Sequence, residues 1–292
     1  MYGGLDQEKL DALKKDIEQL AHVVETPDGS SVKAIGIAGL EKAAKSQDVT
    51  RRRAEIIALD LGICPIRYMR NIGTLGIEGQ KKLLLSRVSV VGVGGLGGSA
   101  AIELARAGVG ELVLIDGDVF SEDNLNRQEF SDENVINSPK VEVARKRIEE
   151  VNGAVDVTTV EKVVDEFELR VVLTGSDAAL DALDNISGRF ALQRAAQKHG
   201  IPLVHGSVAG FIGQVSTILS QDPGLTAIYG PEEDAPDRGI ELQVGTPPGV
   251  VDAVASIQVI EVLKILTGIG QTYHRKLLFM DFEKAIFETM TL

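Results

Sequence analysis

The sequence predicts an α/β fold with a doubly wound, mostly parallel sheet. Three observations lead to this prediction: a complete strand–glycine loop–helix–strand unit, further apolar strands that alternate with helices, and consecutive strands near the C-terminus. Because strands without crossover helices pair antiparallel, we expect antiparallel strands in that last part. Helical periodicity before the first core strand predicts a helical arm at the start of the chain.

The strand–loop–helix unit opens the predicted sheet. Residues 87–92 form an apolar run suited to a buried strand, and the glycine-rich segment 92–97 follows directly. Residues 99–107 are helical in pattern and end at Gly108, and 111–116 form the next strand. This order is typical of the Rossmann-like phosphate-binding unit.

The remaining elements continue the alternation. Buried strands are predicted at 155–160, 170–174 and 202–204, with helices at 139–151 and 187–199. A second set follows Gly206, and it comprises a strand at 214–219, a loop over 222–248, a helix at 252–266, and strands at 276–281 and 285–290.

Residues 1–66 are predicted to form a helical appendage, and residues 67–292 the main α/β domain. The helices of the appendage are expected at 5–24, at 37–45 and from Thr50, a fair N-cap, to Leu61. A turn at residues 26–29 would end the first of them.

Composition excludes several classes of function. The net charge of −13 argues against a nucleic-acid binder, which needs a basic face. The uncharged stretch 88–102 has 15 residues and is too short to span a bilayer. No signal peptide is evident, and the single cysteine suits a reducing compartment, so we expect a cytoplasmic protein that contacts no membrane.

The glycine loop predicts a nucleotide site. In the pattern G-x-G-x-x-G, Gly92 permits the tight turn, Gly94 the close approach of a phosphate, and Gly97 the packing of helix on strand. Asp116 ends the second strand, where an acid can bind ribose hydroxyls. These residues alone indicate an adenine nucleotide and do not separate NAD from ATP.

Polar residues after two of the predicted strands favour a triphosphate. Arg127 and Lys140 offer positive charge near the loop. Asp184 follows a later strand on the ligand side of the sheet, where its carboxylate could hold Mg²⁺. The other candidates in these segments are Gly95, Asp118, Asn124, Asn126, Gln128 and Asn185.

An ordered series of motifs runs from residue 67 to residue 185. The motifs are Arg67-Tyr68-Met69-Arg70-Asn71, Glu78-Gly79-Gln80, Leu83-Leu84, Ser86-Arg87-Val88, the Gly94-Gly95-Leu96-Gly97 loop, Ala107-Gly108-Val109-Gly110, Asp116-x-Asp118, Asn124-Leu125-Asn126-Arg127-Gln128, Pro139-Lys140-Val141-Glu142 and Leu183-Asp184-Asn185. This series resembles the MoeB/ThiF/HesA family, whose members are relatives of ubiquitin-activating enzymes. The resemblance covers residues 67–290 and implies that residues 67–292 form an ATP-binding adenylation domain.

The resemblance implies Mg-ATP binding and adenylation of a carboxylate, usually the C-terminal glycine of a ubiquitin-fold sulfur-carrier protein similar to ThiS or MoaD. It also implies a homodimer in which Arg70 reaches the partner's site. In the same way, Gly95, Asp116, Asn124 and Arg127 resemble nucleotide contacts. Lys140 resembles the family's phosphate-binding lysine, and Asp184 its metal-side acid.

The chain departs from this family at its cysteines. Zinc-bearing relatives carry two Cys-x-x-Cys pairs, whereas this chain has one cysteine, so we expect no zinc. The position nearest to the crossover-loop thiol of some relatives is Glu241, which excludes a covalent step there. Cys64 lies in an apolar context and is interpreted as a packed thiol, and Arg67 and Tyr68 as residues that hold the entry segment.

Three alternatives remain open. The acceptor could be a small-molecule or nucleotide-bound carboxylate instead of a carrier protein. An NAD-dependent oxidoreductase fits the glycine loop and Asp116, although it would leave Arg127, Lys140 and Asp184 without a purpose and would have only His205 as a hydride-transfer acid. His205 itself is more often a strand-end residue. A silent scaffold would not need the charged set.

Overall fold

In the computed structural model, which describes residues 6–25, 29–236, 239 and 241–292, the first part of the chain combines helices with a small sheet. Its elements are α1 (Gln7–Leu20), β1 (His22–Glu25), β2 (Ser31–Ile35), α2 (Ile37–Ser46), α3 (Arg51–Asp60) and β3 (Cys64–Pro65). Leu13, Ile17, Leu40 and Ile57 belong to its own buried cluster. The division of the chain at residue 66 stays a prediction.

The helical arm is confirmed, and the small sheet is an addition to it. The first helix was expected to reach Val24, but it ends at Leu20, because Ala21 is extended and residues 22–25 pair with β2 instead. The β-branched pair Val23-Val24 suits a strand better than a helix end. Thr50 caps α3 as expected, by accepting from the Arg53 amide at 3.3 Å. The predicted turn residues Thr26, Pro27 and Asp28 lie outside the described residues.

Eight strands of the described chain form the main sheet. The strands are β4 (Arg87–Val91), β5 (Glu111–Ile115), β6 (Asp156–Val160), β7 (Ala178–Asp181), β8 (Leu203–Ala209), β9 (Ile212–Ile218), β10 (Lys276–Asp281) and β11 (Ile286–Thr291). Their order is β11-β10-β9-β8-β7-β4-β5-β6. Strands β4 to β8 pair in parallel, whereas β8 to β11 pair antiparallel. The predicted doubly wound fold is thereby confirmed.

Helices cover both faces of this sheet. They are α4 (Met69–Leu85), α5 (Gly95–Ala107), α6 (Lys140–Val151), α7 (Glu166–Val172), α8 (Ile186–His199), α9 (Thr226–Tyr229), α10 (Glu241–Val244) and α11 (Pro248–Thr267). In β4, Val90 packs in the core beneath α5, α6 and α11, while Val91 packs in the core beneath α7 and α8. This division follows from the alternation of side chains along a strand.

The chain order reverses at β4, because β5 and β6 lie on one side of it and β7 and β8 on the other. Ligands in open α/β sheets bind beyond the carboxyl ends of the strands at such a switch point. The turns after β4 and β7 meet there: a side chain at Gly92 would clash with the Ala182 carbonyl.

One predicted strand is wrong. Residues 170–174 were expected to form a strand, but α7 covers Glu166–Val172 and the strand lies at Ala178–Asp181. A capping box overrides the local β propensity of Val171-Val172: the Asp165 side chain accepts from the Glu168 amide, and the Glu168 side chain accepts from the Asp165 amide. The strand itself is specified by full burial between β4 and β8 rather than by β-branched residues.

A buried polar cluster joins the N-terminal part to the main domain. Glu55 and Tyr68 are both fully buried, and the Tyr68 hydroxyl donates to Glu55 Oε2 at 3.1 Å. Asn152, at the end of α6, donates to the same hydroxyl oxygen at 3.0 Å. Tyr68 therefore holds the entry segment, as its sequence context indicates. Cys64 is also buried, which raises the pKa of its thiol to about 11.

Glu55 predicts a pH dependence of stability. Burial raises its pKa to about 7, although the charge of Arg67 opposes this rise. Between pH 4.5 and about 7 the unfolded chain ionises this carboxyl while the folded chain keeps it protonated. The contribution of Glu55 to stability therefore falls as the pH rises through this range, by about 3 kcal/mol for the full pKa difference.

We expect Glu55→Gln to remove this fall, because the amide cannot ionise and can still accept from Tyr68. Thermal or denaturant unfolding of both proteins from pH 5 to pH 8 measures the difference. Glu18→Gln, at an exposed position of α1, is the matched control and should follow the wild type. A variant whose stability falls as steeply as that of the wild type would contradict the assignment.

Candidate active site

The glycine loop connects β4 to α5 in the way its sequence predicts. Gly92 has φ +88°, and its amide donates to the Ile115 carbonyl at 2.8 Å. A side chain at Gly97 would overlap the Gly92 carbonyl oxygen, so helix and strand can pack this closely only with glycine at position 97. No side chain caps α5 at Gly94. Its first-turn amides are therefore available to a phosphate.

Asp116 fixes the loop to the end of β5. Its two carboxylate oxygens accept from the amides of Val93 at 2.7 Å and Asp118 at 2.8 Å. Burial raises the pKa of Asp116, and the charge of Lys140 works against this rise. The carboxylate lines the cleft with lone pairs still available for hydroxyl donors.

The segment after β5 folds back over the loop. Asn124 and Ser121 form a capping box, and Asn124 is buried by it. Arg127 Nη1 donates to the Asp123 carbonyl and to Asn126 Oδ1, both at 2.7 Å. Gln128 is buried beside Gly94, and its Oε1 has no hydrogen-bond partner. A buried unsatisfied amide oxygen facing a cleft indicates a donor that a ligand would supply.

Lys140 begins α6 and points into the same cleft. Its Nζ lies 3.2 Å from Asp118 Oδ2; the lysine side chain is 8% exposed and the aspartate side chain 70%. A nearly buried ammonium paired with an exposed surface carboxylate can exchange that partner for a phosphate.

The opposite wall follows β7. Asn185 caps α8, since its Oδ1 accepts from the Gly188 amide at 2.7 Å, and its Nδ2 donates to Asp184 Oδ1 at 3.3 Å. Asp184 is exposed to the cleft. The volume of the cleft between the two walls is about 1000 Å³, which is large enough for a nucleotide.

The structure brings most of the predicted site residues into this one cleft. Those that line it are Gly92, Gly94, Gly95, Asp116, Asp118, Asn124, Arg127, Gln128, Lys140, Asp184 and Asn185. Three predicted residues do not line it. Gly97 packs beneath the loop, Asn126 is exposed and donates to the Thr246 carbonyl at 3.4 Å, and Arg70 is exposed on α4.

Sequence reasoning missed three cations of the cleft. Lys162 follows β6, so its place at the carboxyl end of a parallel strand could have identified it. Arg189 and Arg194 lie on α8, and Arg194 pairs with Glu166 and Glu232. Only the packing of α7 and of the segment after β9 brings these residues to the cleft.

His205 does not line the cleft; it is fully buried within β8. Its Nδ1 lies 2.7 Å from Asp181 Oδ2, and burial lowers the pKa of its imidazole. The interpretation of His205 as a strand-end residue is wrong, because antiparallel pairing with β9 extends β8 to Ala209. Glu241 begins the short helix α10.

The donors suit magnesium as far as the described residues show. Among them, no group of three or more His, Cys, Asp or Glu side chains could hold a metal. Mg²⁺ does not need such a cage, since it takes one or two carboxylates together with substrate phosphates and water. Asp184, which lies across the cleft from Arg127 and Lys140, offers one such carboxylate. No helix among these residues has the length and apolar character needed to cross a bilayer.

Comparison with known proteins agrees with the resemblance. A model of the ThiF family matches residues 68–292. The SAMP-activating enzyme E1 of Haloferax volcanii is 39% identical over 229 residues, which cover 77% of this chain and 84% of that protein. The sulfur carrier protein ThiS adenylyltransferase of Escherichia coli is 33% identical over 207 residues, with coverages of 70% and 82%.

The fold also matches solved structures. The crystal structure of E. coli MccB with ATP superposes with a TM-score of 0.67 at 21% identity, covering 77% of this chain and 71% of the other. At that identity the likeness shows the fold alone. The family match and the two relatives settle the classification: the chain belongs to the ThiF family, and it is an adenylyltransferase.

Proposed function

We propose that this adenylyltransferase activates the C-terminal glycine of a ubiquitin-fold sulfur-carrier protein with Mg-ATP. One observation carries the proposal: a glycine loop, two cations and an acidic residue line a single cleft at the switch point of the sheet. Two relatives support the carrier, since their names describe one as activating SAMP and the other as adenylating the sulfur carrier ThiS.

The nucleotide would lie along the glycine loop. The amides at the start of α5 and the Gly94-Gly95 backbone would bind phosphate oxygens. Asp116 would accept from ribose hydroxyls. The unpartnered Gln128 Oε1 would accept a hydrogen bond from the nucleotide.

The cations would act on the phosphates. Attack by a carboxylate on ATP is opposed by the repulsion between two anions and by negative charge that develops on phosphate oxygens. Arg127 and Lys140 would offset both effects from inside the cleft. Mg²⁺, when bound at Asp184, supplies further positive charge and orients the leaving group.

The reaction balances without a base. A carboxylate oxygen forms a bond to the α-phosphorus, and the bond from that phosphorus to the bridging oxygen breaks. Pyrophosphate leaves with the electron pair. The acceptor carboxylate is already ionised at neutral pH, so no side chain has to remove a proton.

We also propose a homodimer in which Arg70 completes the partner's site. Arg70 is exposed on α4 and does not line the cleft of its own chain. An arginine supplied in trans is an established way to stabilise charge on a transferring phosphoryl group.

ATP–pyrophosphate exchange tests the reaction and the acceptor together. We expect exchange to require Mg²⁺ and a ubiquitin-fold carrier with a C-terminal glycine, and to stop when that glycine is removed. Small acids, added one at a time, test the alternative acceptor. Exchange with a small acid and with none of the carriers would overturn the carrier protein as substrate.

We expect Mg-ATP to bind more tightly than NAD, because Arg127 and Lys140 suit a triphosphate and Asp184 suits its metal. Calorimetric titration with each nucleotide measures the difference. Tight binding of NAD without binding of ATP would contradict the proposal.

We expect no stoichiometric zinc, because zinc prefers four Cys, His or carboxylate ligands in tetrahedral array and the sequence has one cysteine and four histidines. Metal analysis of the purified protein measures the zinc content. One tightly held zinc ion per chain would contradict this expectation.

A further inference from the structure

A chain of hydrogen bonds, buried at one end and partly buried at the other, runs beneath the cleft. It joins Asp181 at the end of β7, His205 in β8, Tyr229 at the end of α9, and Arg189 in α8. His205 Nδ1 lies 2.7 Å from Asp181 Oδ2, and His205 Nε2 lies 3.1 Å from the Tyr229 hydroxyl. Arg189 Nη1 donates to that hydroxyl oxygen at 2.9 Å. Asp181 and His205 are fully buried.

The donors fix the direction of this chain. Arginine can only donate, so the Tyr229 oxygen accepts from Arg189. The Asp181 carboxylate can only accept, so His205 carries its proton on Nδ1, and Nε2 of the neutral imidazole accepts from the Tyr229 hydroxyl. Burial lowers the pKa of His205 and works against ionisation of Asp181, but the Arg189 charge and the histidine hydrogen bond keep the Asp181 pKa below its usual value.

One end of the chain holds the peptide that precedes Asp184. The Leu183 amide donates to Asp181 Oδ1 at 3.1 Å. The Leu183 carbonyl accepts from Arg189 Nε at 3.1 Å and from Nη2 at 2.6 Å. Leu183 is thus fixed at both of its backbone polar groups, which restrains the backbone that carries Asp184.

The other end reaches a different part of the fold. Tyr229 belongs to the segment between β9 and α11, residues 219–247, and two residues of that segment, Glu232 and Thr246, line the cleft. The ring of Tyr229 is half-buried and packs edge-on against His205, with centroids 5.7 Å apart. The segment has no cysteine and therefore no thiolate that could attach it to a metal. Its described contacts beneath the cleft include the hydrogen bond between the Tyr229 hydroxyl and His205.

We propose that Tyr229 and His205 are positioning residues that hold the Leu183–Asp184 turn in the conformation that binds magnesium. They do so through Arg189 and Asp181, and they make this conformation depend on the position of the 219–247 segment. The inference rests on the proposed role of Asp184 at the metal and adds residues that touch neither metal nor nucleotide.

Tyr229→Phe tests the proposal, because it removes the hydroxyl and keeps the ring. We measure the ATP affinity by calorimetry as a function of Mg²⁺ concentration, which needs no acceptor. Loss of an outer hydrogen-bond partner typically weakens metal binding by about 10–100-fold. We therefore expect the variant to need at least ~10-fold more Mg²⁺ for half of the maximal increase in ATP affinity. Tyr273→Phe is the matched control, because it removes a hydroxyl that lies outside the cleft and outside this chain of hydrogen bonds. It should leave the Mg²⁺ dependence of ATP affinity unchanged.

A double-mutant cycle with Asp184→Asn separates positioning from general destabilisation. We expect Tyr229→Phe to shift the Mg²⁺ dependence when Asp184 is present and to add no shift in the Asp184→Asn background. His205→Asn, which can still bond Asp181 but cannot reach Tyr229, should shift it in the same direction.

Three results would overturn the inference, and the first of them is distinguishable from the other two. If the ATP affinity of the wild type does not change with Mg²⁺ concentration, the proposed role of Asp184 is wrong, and the inference fails with it. A wild type that responds to Mg²⁺, together with a Tyr229→Phe variant that loses thermal stability but keeps the same Mg²⁺ dependence, would overturn the inference alone. An equal shift in both Asp184 backgrounds would do so as well.

Discussion

We expect Asp184→Ala to lower the rate of ATP–pyrophosphate exchange by roughly 10²–10³-fold, the usual cost of losing one preorganised group that stabilises a transition state. The carboxylate is exposed to the cleft after the end of β7, opposite Arg127 and Lys140. Because it lies at the surface, its removal should leave the fold intact. Exchange assays with circular dichroism as the folding control measure both effects.

Arg127→Ala should have an effect of the same size, because its guanidinium would clamp phosphate oxygens. Arg127→Lys keeps the charge and loses the planar fork, so we expect it to recover only part of the rate. Asp11→Ala, an exposed carboxylate on α1, is the control for the loss of a surface acid. Near-normal exchange in both alanine variants would place Asp184 and Arg127 outside the reaction.

We expect mixed dimers of Arg70→Ala and Asp184→Ala chains to regain activity that neither homodimer has. If Arg70 acts in the partner's site, a mixed dimer contains one intact site, formed by Arg70 of one chain and Asp184 of the other. Its second site lacks both residues. Exchange activity should therefore rise from background toward half of the wild-type rate per dimer.

Subunit exchange has to be demonstrated separately, for example with two differently tagged chains purified in tandem. A mixed dimer that remains inactive would place Arg70 in the site of its own chain or outside any site. Light scattering that shows a monomer at assay concentration would remove the basis of this prediction.

Sequence reasoning succeeded where the signal is local and repeated. The glycine loop, the following helix and Asp116 follow from residues within about thirty positions, because turn geometry and phosphate approach restrict each of them. The convergence of Asp118, Arg127, Lys140 and Asp184 could also be predicted, since parallel strands end at one edge of a sheet. The structure places all four around one cleft.

Sequence reasoning failed where contacts between residues far apart in the sequence determine the local structure. The strand expected at 170–174 lies at Ala178–Asp181, because a capping box makes the earlier residues helical and neighbouring strands bury the later ones. The pairing of β1 with β2 depends on contacts between residues 22–25 and residues 31–34, and the pattern of α1 alone does not contain it.

By itself the sequence determined the fold class and the nucleotide loop, and it predicted the charges that favour a triphosphate. These features depend on backbone restrictions and strand order, which short segments encode. Only the tertiary structure decided that Arg189 and Arg194 reach the cleft, and that His205 lies buried between Asp181 and Tyr229. Those contacts join residues 24 or more positions apart through packing, and no local pattern specifies which buried polar group meets which.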